Sequence, residues 1–74
     1  MMSYEPFWKT LKIKGITQYT LIKKHGISTG TLTNIKNNKP LETTTIEKFC
    51  KILNCNVQDI VIYIPDPEKI NLQK

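Results

Sequence analysis

The segment from residue 17 to 39, TQYTLIKKHGISTGTLTNIKNNK, constrains the fold more than any other part of the chain. Gly26 separates two stretches with helical spacing, and a sharp turn that needs a positive φ favours glycine. Thr17 and Ser28 each precede one stretch, where a hydroxyl can cap the free N–H groups of a helix. The aliphatic residues that form the inner side are Leu21, Ile22, Ile27, Leu32 and Ile35. The segment predicts two short helices joined by a tight turn.

A further helix is predicted before this segment, over residues 5–15. Pro6 suits the first turn of a helix, where its missing N–H is no loss, and Gly15 is a natural left-handed stop. The spacing of Phe7, Trp8 and Leu11 gives this helix one apolar side.

A fourth helix is predicted after the segment. Thr44 and Glu47 have the spacing of a capping box, although Glu42 and Thr43 are alternative starting points. Its apolar face follows the i, i+3, i+4, i+7 pattern at Ile46, Phe49, Cys50 and Leu53.

The pair Asn56 and Asp59 predicts the beginning of a fifth helix. The β-branched run Ile60–Ile64 can leave the helix for an extended form, and it is either cover for the core or a surface for self-association. Two prolines follow this run. We therefore divide the chain into one domain at residues 1–64 and a flexible tail at residues 65–74.

Positive charge is concentrated in the first half of the chain. Residues 1–40 contain seven Lys and one acidic residue, whereas residues 41–74 contain four Lys and five acidic residues. A surface that faces phosphates needs such an excess of cations, although solvated lysine-rich faces are also common. The chain has no Arg, the side chain that most often reads guanine, so strong G·C readout is not expected.

Several classes of function are not indicated. No apolar run reaches the length of a transmembrane helix, and no signal peptide is visible. Cys50, Cys55 and His25 are too few for a four-ligand zinc site, so we expect small buried thiols, a histidine at a helix end, no metal and no cofactor. Reduced thiols favour a cytoplasmic location. We do not expect this protein to be an enzyme, because its sequence contains no nucleophile–base pair, no paired carboxylates and no Gly-rich phosphate loop.

Residues 17–39 resemble the helix-turn-helix of the Cro/CI-type phage repressors, the XRE family. The residues that carry the resemblance are Gln18, Leu21, Gly26-Ile27-Ser28, Leu32, Ile35 and Asn37-Asn38-Lys39. With the flanking helices it covers residues 5–64 and is greatest for small, single-domain bacterial members. It implies an all-α, compact five-helix lambda-repressor-like domain whose helices 2 and 3 form the motif. Two positions depart from the family pattern: Ile22 stands where Ala is usual, and Gly30 stands where a long polar side chain is frequent.

The resemblance implies sequence-specific binding to double-stranded DNA by a repressor-like transcriptional regulator, with helix 3 in the major groove. The residues expected to face the bases are Ser28, Thr29, Gly30 and Asn34. The residues expected to contact phosphates are Thr17, Gln18, Thr31, Lys36, Asn37 and Lys39. Asn34 has the groups for a bidentate contact to adenine, whereas Gly30 offers no side chain.

We expect an A·T-biased site, because the chain lacks Arg and its base-facing side chains are short. We also expect a homodimer on two half-sites about 34 Å apart. The alternative is a protein-interaction or antitoxin-like module that keeps the same fold as a scaffold. A steep dependence of duplex binding on salt distinguishes the two functions.

Overall fold

The computed structural model describes residues 1–65, in which one short strand precedes four α-helices in sequence and a second short strand follows them. The elements are β1 (Met2–Ser3), α1 (Glu5–Lys14), α2 (Gln18–His25), α3 (Thr29–Lys36), α4 (Thr43–Leu53), a 3-10 turn (Val57–Asp59) and β2 (Ile62–Tyr63). Residues 66–74, on which most of the predicted tail falls, lie outside the described residues.

The first helix, α1, begins and ends where the sequence predicts. Pro6 lies in its first turn, and Gly15 stops it with a φ of 69°. The N–H of Gly15 donates to the Lys12 carbonyl at 3.2 Å, and that of Ile16 donates to the Leu11 carbonyl at 3.0 Å. These bonds satisfy carbonyl groups at the helix end and turn the chain toward α2.

The predicted helix pair is present, and each member is capped by a hydroxyl. Thr17 Oγ1 accepts a hydrogen bond from the N–H of Thr20, and Ser28 Oγ accepts one from the N–H of Thr31, both at 3.1 Å. Gly26 lies between the helices with a φ of 70°. A Cβ at Gly26 would meet no atom within 4 Å, so the requirement for glycine is conformational rather than steric.

The start of α4 differs from the predicted capping box. Its N-cap is Glu42, whose carbonyl accepts from the N–H groups of Thr45 and Ile46 at 3.0 and 3.2 Å. Thr44 is already inside the helix, and a helical residue does not have the extended backbone that a cap needs. The box between Thr44 and Glu47 is therefore wrong, and the alternative start at Glu42 and Thr43 is correct.

The predicted fifth helix is reduced to the 3-10 turn at Val57–Asp59. Its expected start is correct, because the N–H of Asn56 donates to Asp59 Oδ2 at 3.0 Å and the Asn56 side chain completes the capping box. The helix does not continue, since Ile60 and Val61 pack into the core and the chain then extends into β2 at Ile62. The described chain is therefore mostly helical with one small pair of strands, and the five-helix, all-α prediction is corrected.

Strands β1 and β2 pair antiparallel, with Met2 opposite Tyr63 and Ser3 opposite Ile62. The pairing continues beyond both strands: the Met1 ammonium donates to the Ile64 carbonyl at 2.6 Å, and the Ile64 N–H donates to the Met1 carbonyl at 2.7 Å. We call residues 1–3 and 62–64 the terminal ribbon. It joins the beginning of the chain to residues about sixty positions later.

The run Ile60–Ile64 divides between the core and the surface. Ile60 and Val61 are buried and cover the core, as one of the two alternatives expected. Ile62, Tyr63 and Ile64 remain exposed on the terminal ribbon, with 39%, 64% and 39% of their surface accessible. Met1 and Met2 are exposed beside them.

The hydrophobic core contains buried side chains from all four α-helices. The rings of Phe7 and Phe49 meet edge to face, with centroids 4.9 Å apart. The other fully buried aliphatic side chains are Leu21, Ile35, Leu53 and Ile60. Ile22, the bulky residue at the α2–α3 approach, is half-buried at the edge of this core. The cleft between the two helices thus accommodates a side chain larger than that of Ala.

The two cysteines are half-buried rather than fully buried as predicted. The N–H of Cys55 donates to the Cys50 carbonyl at 3.1 Å, because Cys55 follows the left-handed Asn54 that ends α4. Burial raises the pKa of the Cys55 thiol, and the neighbouring Cys50 raises it further. Within residues 1–65, no three His, Cys, Asp or Glu side chains could together hold a metal ion, and no helix has the length and apolarity to cross a bilayer.

Candidate nucleic-acid interface

One side of α3 is left open because the other side anchors the helix to the core. Leu32 and Ile35 are buried on the inner side. The outer side carries Thr29, Gly30 and Thr33, which are exposed, and Asn34, which is half-buried. Residues three or four positions apart share a helix face, so Gly30 lies on the same face as Asn34, and Thr29 on the same face as Thr33.

Hydrogen bonds within α3 decide which of these polar groups are free. The hydroxyls of Ser28 and Thr31 bond to each other at 2.9 Å, and Thr33 Oγ1 donates to the Thr29 carbonyl at 3.0 Å. Within residues 1–65 the Thr29 hydroxyl and the Asn34 amide have no hydrogen-bonding partner. Asn34 and Thr29 are therefore the side chains best able to bond to another molecule from this surface.

The N-termini of α2 and α3 are exposed and suited to anions. Thr17 and Gln18 at the start of α2 are exposed, as are Ser28 and Thr29 at the start of α3. Neither helix has an acidic residue in its first turn. Free N–H groups and the positive end of the helix dipole are thus presented without a competing carboxylate.

A shallow cleft of about 150 Å³ separates α2 from α3 and brings predicted DNA-contacting residues together. The residues that line it are Gln18, Ile22, Thr29, Leu32, Thr33 and Lys36. Gln18 and Lys36, expected at phosphates, and Thr29, expected at a base, therefore share one side of the motif. Asn37 and Lys39 lie apart from this cleft, in the loop that follows α3.

The lysines of the motif carry charge that no described acid neutralises. Lys23, Lys24, Lys36 and Lys39 are exposed. Among residues 1–65, the one ion pair joins Lys9 Nζ to Glu5 Oε2 at 4.0 Å on the surface of α1. The positive charge of the helix pair is thus available to a polyanion.

Sequence reasoning missed two tyrosines near this surface. Tyr19 is 69% exposed in the first turn of α2, with Lys23 Nζ 5.8 Å from its ring centroid. Tyr4 is buried, and it bonds to the loop after α3. Nothing local to Tyr4 signals that role, because its partners lie more than thirty residues away; helical spacing in α2 was the available signal for Tyr19.

A family model described as Cro/C1-type HTH DNA-binding domain matches residues 7–66. The chain belongs to this family. A solved structure titled "Crystal structure of transcriptional regulator VanUg, Form II" is similar to this chain, with a TM-score of 0.78 and 28% sequence identity. That likeness covers 88% of this chain and 87% of the other. No curated protein sequence matches this chain significantly.

The departure of this Cro/C1-type chain at Gly30 has no packing explanation. Gly30 is helical, and a Cβ added there would meet only Ser28 Oγ at 3.8 Å, an ordinary contact. A side chain would therefore fit the fold. The absent side chain instead leaves the backbone of α3 accessible at the centre of the exposed surface.

Proposed function

We propose that this chain is a repressor-like transcriptional regulator that binds specific sites on double-stranded DNA by inserting α3 into the major groove. The observation that carries the proposal is the outer side of α3, a small polar surface flanked by two exposed helix N-termini and by lysines that pair with no acid among residues 1–65. Family membership and the similarity to a structure titled as a transcriptional regulator support it.

Base recognition is assigned to Ser28, Thr29, Gly30 and Asn34. Asn34 has a free amide, which can donate to adenine N7 and accept from adenine N6. The Thr29 methyl packs on a thymine methyl, and Gly30 lets the α3 backbone approach the bases. Ser28 holds the first turn of α3 in place through its cap to Thr31.

Phosphate contacts are assigned to two places. Thr17, Gln18, Thr31 and Lys36 surround the N-termini and the cleft between the helices, while Asn37 and Lys39 extend from the loop after α3. Such contacts fix the position of the protein on the duplex and supply affinity without encoding sequence.

The preferred site is A·T-biased in this proposal. The chain has no Arg for guanine, and the free side chains on α3 are short. Selection of bound duplexes from a random pool tests this directly. An enriched A·T consensus is expected, and a G·C-rich consensus would contradict the proposed base contacts.

The DNA function itself is tested by the dependence of duplex affinity on salt, measured by fluorescence anisotropy. Each phosphate neutralised contributes about −0.9 to the slope of log K against log salt concentration. Lys36→Ala is expected to make the slope shallower by about that amount. The matched control is Lys9→Ala, which removes an equal charge from α1, where the lysine is paired with Glu5. A duplex affinity that does not vary with salt would instead favour a protein-interaction module.

We further propose that the DNA-bound form is a homodimer joined through the terminal ribbon. The ribbon presents five exposed apolar side chains and no charged side chain, and its outer edges are unpaired within residues 1–65. A second copy can pair antiparallel with β2 about a two-fold axis, which buries the same residues on both copies. The ribbon has the Met1 ammonium, which is bonded to the Ile64 carbonyl, but no charged side chain. The rest of the chain carries a net positive charge, so the ribbon is where two copies can approach.

Analytical ultracentrifugation with and without duplex tests the dimer. Tyr63→Ser is expected to shift the wild-type dimer toward monomer. Ile13→Ser removes a similarly exposed apolar side chain from α1, outside both the ribbon and the candidate DNA surface, and serves as the control. Monomeric wild type on DNA, or equal effects of the two substitutions, would contradict the ribbon contact.

A further inference from the structure

The loop between α3 and α4, residues 37–42, is bonded to one residue from the start of the chain, Tyr4. The backbone N–H of Tyr4 donates to Asn38 Oδ1 at 3.1 Å, and the Tyr4 hydroxyl donates to the Lys39 carbonyl at 2.8 Å. Tyr4 is only 3% exposed, whereas residues 37–40 are exposed. A buried side chain therefore holds a loop that otherwise faces solvent.

The same loop is bonded to α3. The N–H of Lys39 donates to the Asn34 carbonyl at 2.8 Å, and that of Asn38 donates to the Ile35 carbonyl at 3.1 Å. The backbone of Lys39 is thus bonded to α3 through its N–H and to Tyr4 through its carbonyl. These bonds connect Tyr4 to Asn34, the residue proposed to bind adenine.

Tyr4 is itself fixed on both sides. Its carbonyl accepts from the N–H of Phe7 at 2.9 Å at the start of α1. The preceding residue, Ser3, is buried and pairs with Ile62 in the terminal ribbon. Burial raises the pKa of the Tyr4 phenol, and a smaller effect of the hydrogen bond with the Leu41 backbone lowers it. Because the net direction is upward, the hydroxyl keeps the proton that it donates.

We infer that Tyr4 is a positioning residue of the DNA interface, which holds loop 37–42 so that Asn37 and Lys39 meet phosphates in register with Asn34. This inference rests on the proposed DNA-binding function. Phosphate contacts set the register of a protein on DNA, and a loop already ordered loses less conformational entropy on binding. Tyr4 acts through the loop backbone and need not touch DNA.

Tyr4→Phe tests the inference, because it removes the hydroxyl and keeps the buried ring. The matched control is Thr10→Val. Thr10 is also buried, and its hydroxyl donates at 2.8 Å to the Asp59 carbonyl, which connects α1 to the 3-10 turn rather than to α3. Both substitutions remove one buried hydroxyl bond between distant residues. They differ in whether the bond leads to the DNA surface.

We expect Tyr4→Phe to weaken duplex binding about 2- to 10-fold, the range for loss of one hydrogen bond. The slope of log K against log salt should become shallower by about 0.9 as one phosphate contact is lost. Amide exchange of Asn38, Lys39 and Leu41 in the free protein should accelerate. Thr10→Val should lower the melting temperature comparably while leaving the affinity, the slope and this exchange unchanged.

The two levels of the proposal fail differently. Salt-dependent binding by the wild type with an identical affinity and slope for Tyr4→Phe overturns the inference and leaves the proposed function standing. Equal losses of affinity for Tyr4→Phe and Thr10→Val, with unchanged slopes, also overturn it, because they indicate a general effect of stability. Wild type that fails to bind duplex in a salt-dependent way overturns the proposed function and the inference with it.

A second variant tests the other bond. Asn38 has a φ of 55°, so Asn38→Gly removes the acceptor of the Tyr4 N–H without straining the backbone. It should weaken binding and make the salt slope shallower, as Tyr4→Phe does. Wild-type binding by Asn38→Gly would contradict a role for this bond in positioning the loop.

Discussion

The helix pair α2–α3 is stabilised by hydrogen bonds between residues that are close in sequence, whereas the terminal ribbon is stabilised by bonds between residues that are far apart in sequence. In the helix pair, Thr17 bonds to Thr20 and Ser28 to Thr31, three residues along the chain. In the ribbon, Met1 bonds to Ile64. The helix pair buries Leu21, Leu32 and Ile35, whereas the ribbon leaves most of its apolar side chains exposed. Local bonds thus form the helix pair, whereas bonds between distant residues form the ribbon.

The largest effect should come from the buried side of the helix pair. Ile35 is 1% exposed, so Ile35→Ala is expected to lower the free energy of unfolding by about 2–5 kcal/mol through lost burial and a residual cavity. Tyr63→Ala, on the exposed side of the ribbon, should change the stability of the monomer by less than about 0.5 kcal/mol. Urea denaturation at low protein concentration measures both. Similar losses of stability for the two variants would contradict the difference in burial between the helix pair and the ribbon.

Binding should be concentrated in the helix pair and divided between two kinds of contact. Asn34→Ala is expected to cost about 1–3 kcal/mol of binding free energy and to relax the preference at one base position. Lys39→Ala should weaken binding to all duplexes alike, because the contact proposed for Lys39 is with a phosphate. Affinities for a selected site and its single-base variants measure the difference. An equal loss at every base position for Asn34→Ala would assign that residue to the DNA backbone instead.

The local hydroxyl caps should each contribute measurably to stability. Thr17→Ala and Ser28→Ala are expected to lower the free energy of unfolding by about 1 kcal/mol each. Thr44→Ala is the control, because Thr44 is exposed inside α4 and makes no cap. Its stability should be unchanged or slightly higher, since Ala has the higher helix propensity. A loss at Thr44 equal to that at Ser28 would restore the capping box that the structure replaces with Glu42.

Substitution of Gly30 should separate stability from binding within the helix pair. Gly30→Ala is expected to raise the free energy of unfolding by about 0.5–1 kcal/mol, because Gly30 is helical and a Cβ there has space. Duplex affinity should fall if the backbone of α3 approaches the bases closely. Thermal melts and anisotropy on the same preparations measure the two effects, and a gain in both would show that the approach is not close.

The smallest effect concerns pH and comes from Tyr4, which follows the terminal ribbon in sequence and bonds to the loop after α3. The pKa of Tyr4 is raised above 10.0 in the folded protein, so the folded state retains a proton that the unfolded state loses. Stability from this source is present below pH 10 and declines as the pH rises above it. Denaturation between pH 8 and 11 should show a steeper decline for the wild type than for Tyr4→Phe. Parallel curves would remove Tyr4 from the groups that titrate with folding.

Much of the candidate site could be predicted from the sequence because its structure depends on neighbours. The hydroxyls at Thr17 and Ser28, the positive φ at Gly26 and the apolar spacing of Leu32 and Ile35 each act within one or two helical turns. The box at Thr44 was wrong although its spacing was suitable. Several residues in succession could begin α4, and the helix begins at Thr43 after the cap at Glu42.

The helix pair and its turn follow from local hydrogen bonds and apolar periodicity, and the positive charge around them follows from the lysines of residues 1–40. The long-range fold sets where the predicted fifth helix stops, because Ile62 and Tyr63 find strand partners only when Ser3 and Met2 are brought beside them. It also decided the place of Tyr4, whose bonds to Asn38 and Lys39 exist only once the core has closed. Pairing across more than thirty residues depends on the burial achieved by the whole chain, and no local pattern records it.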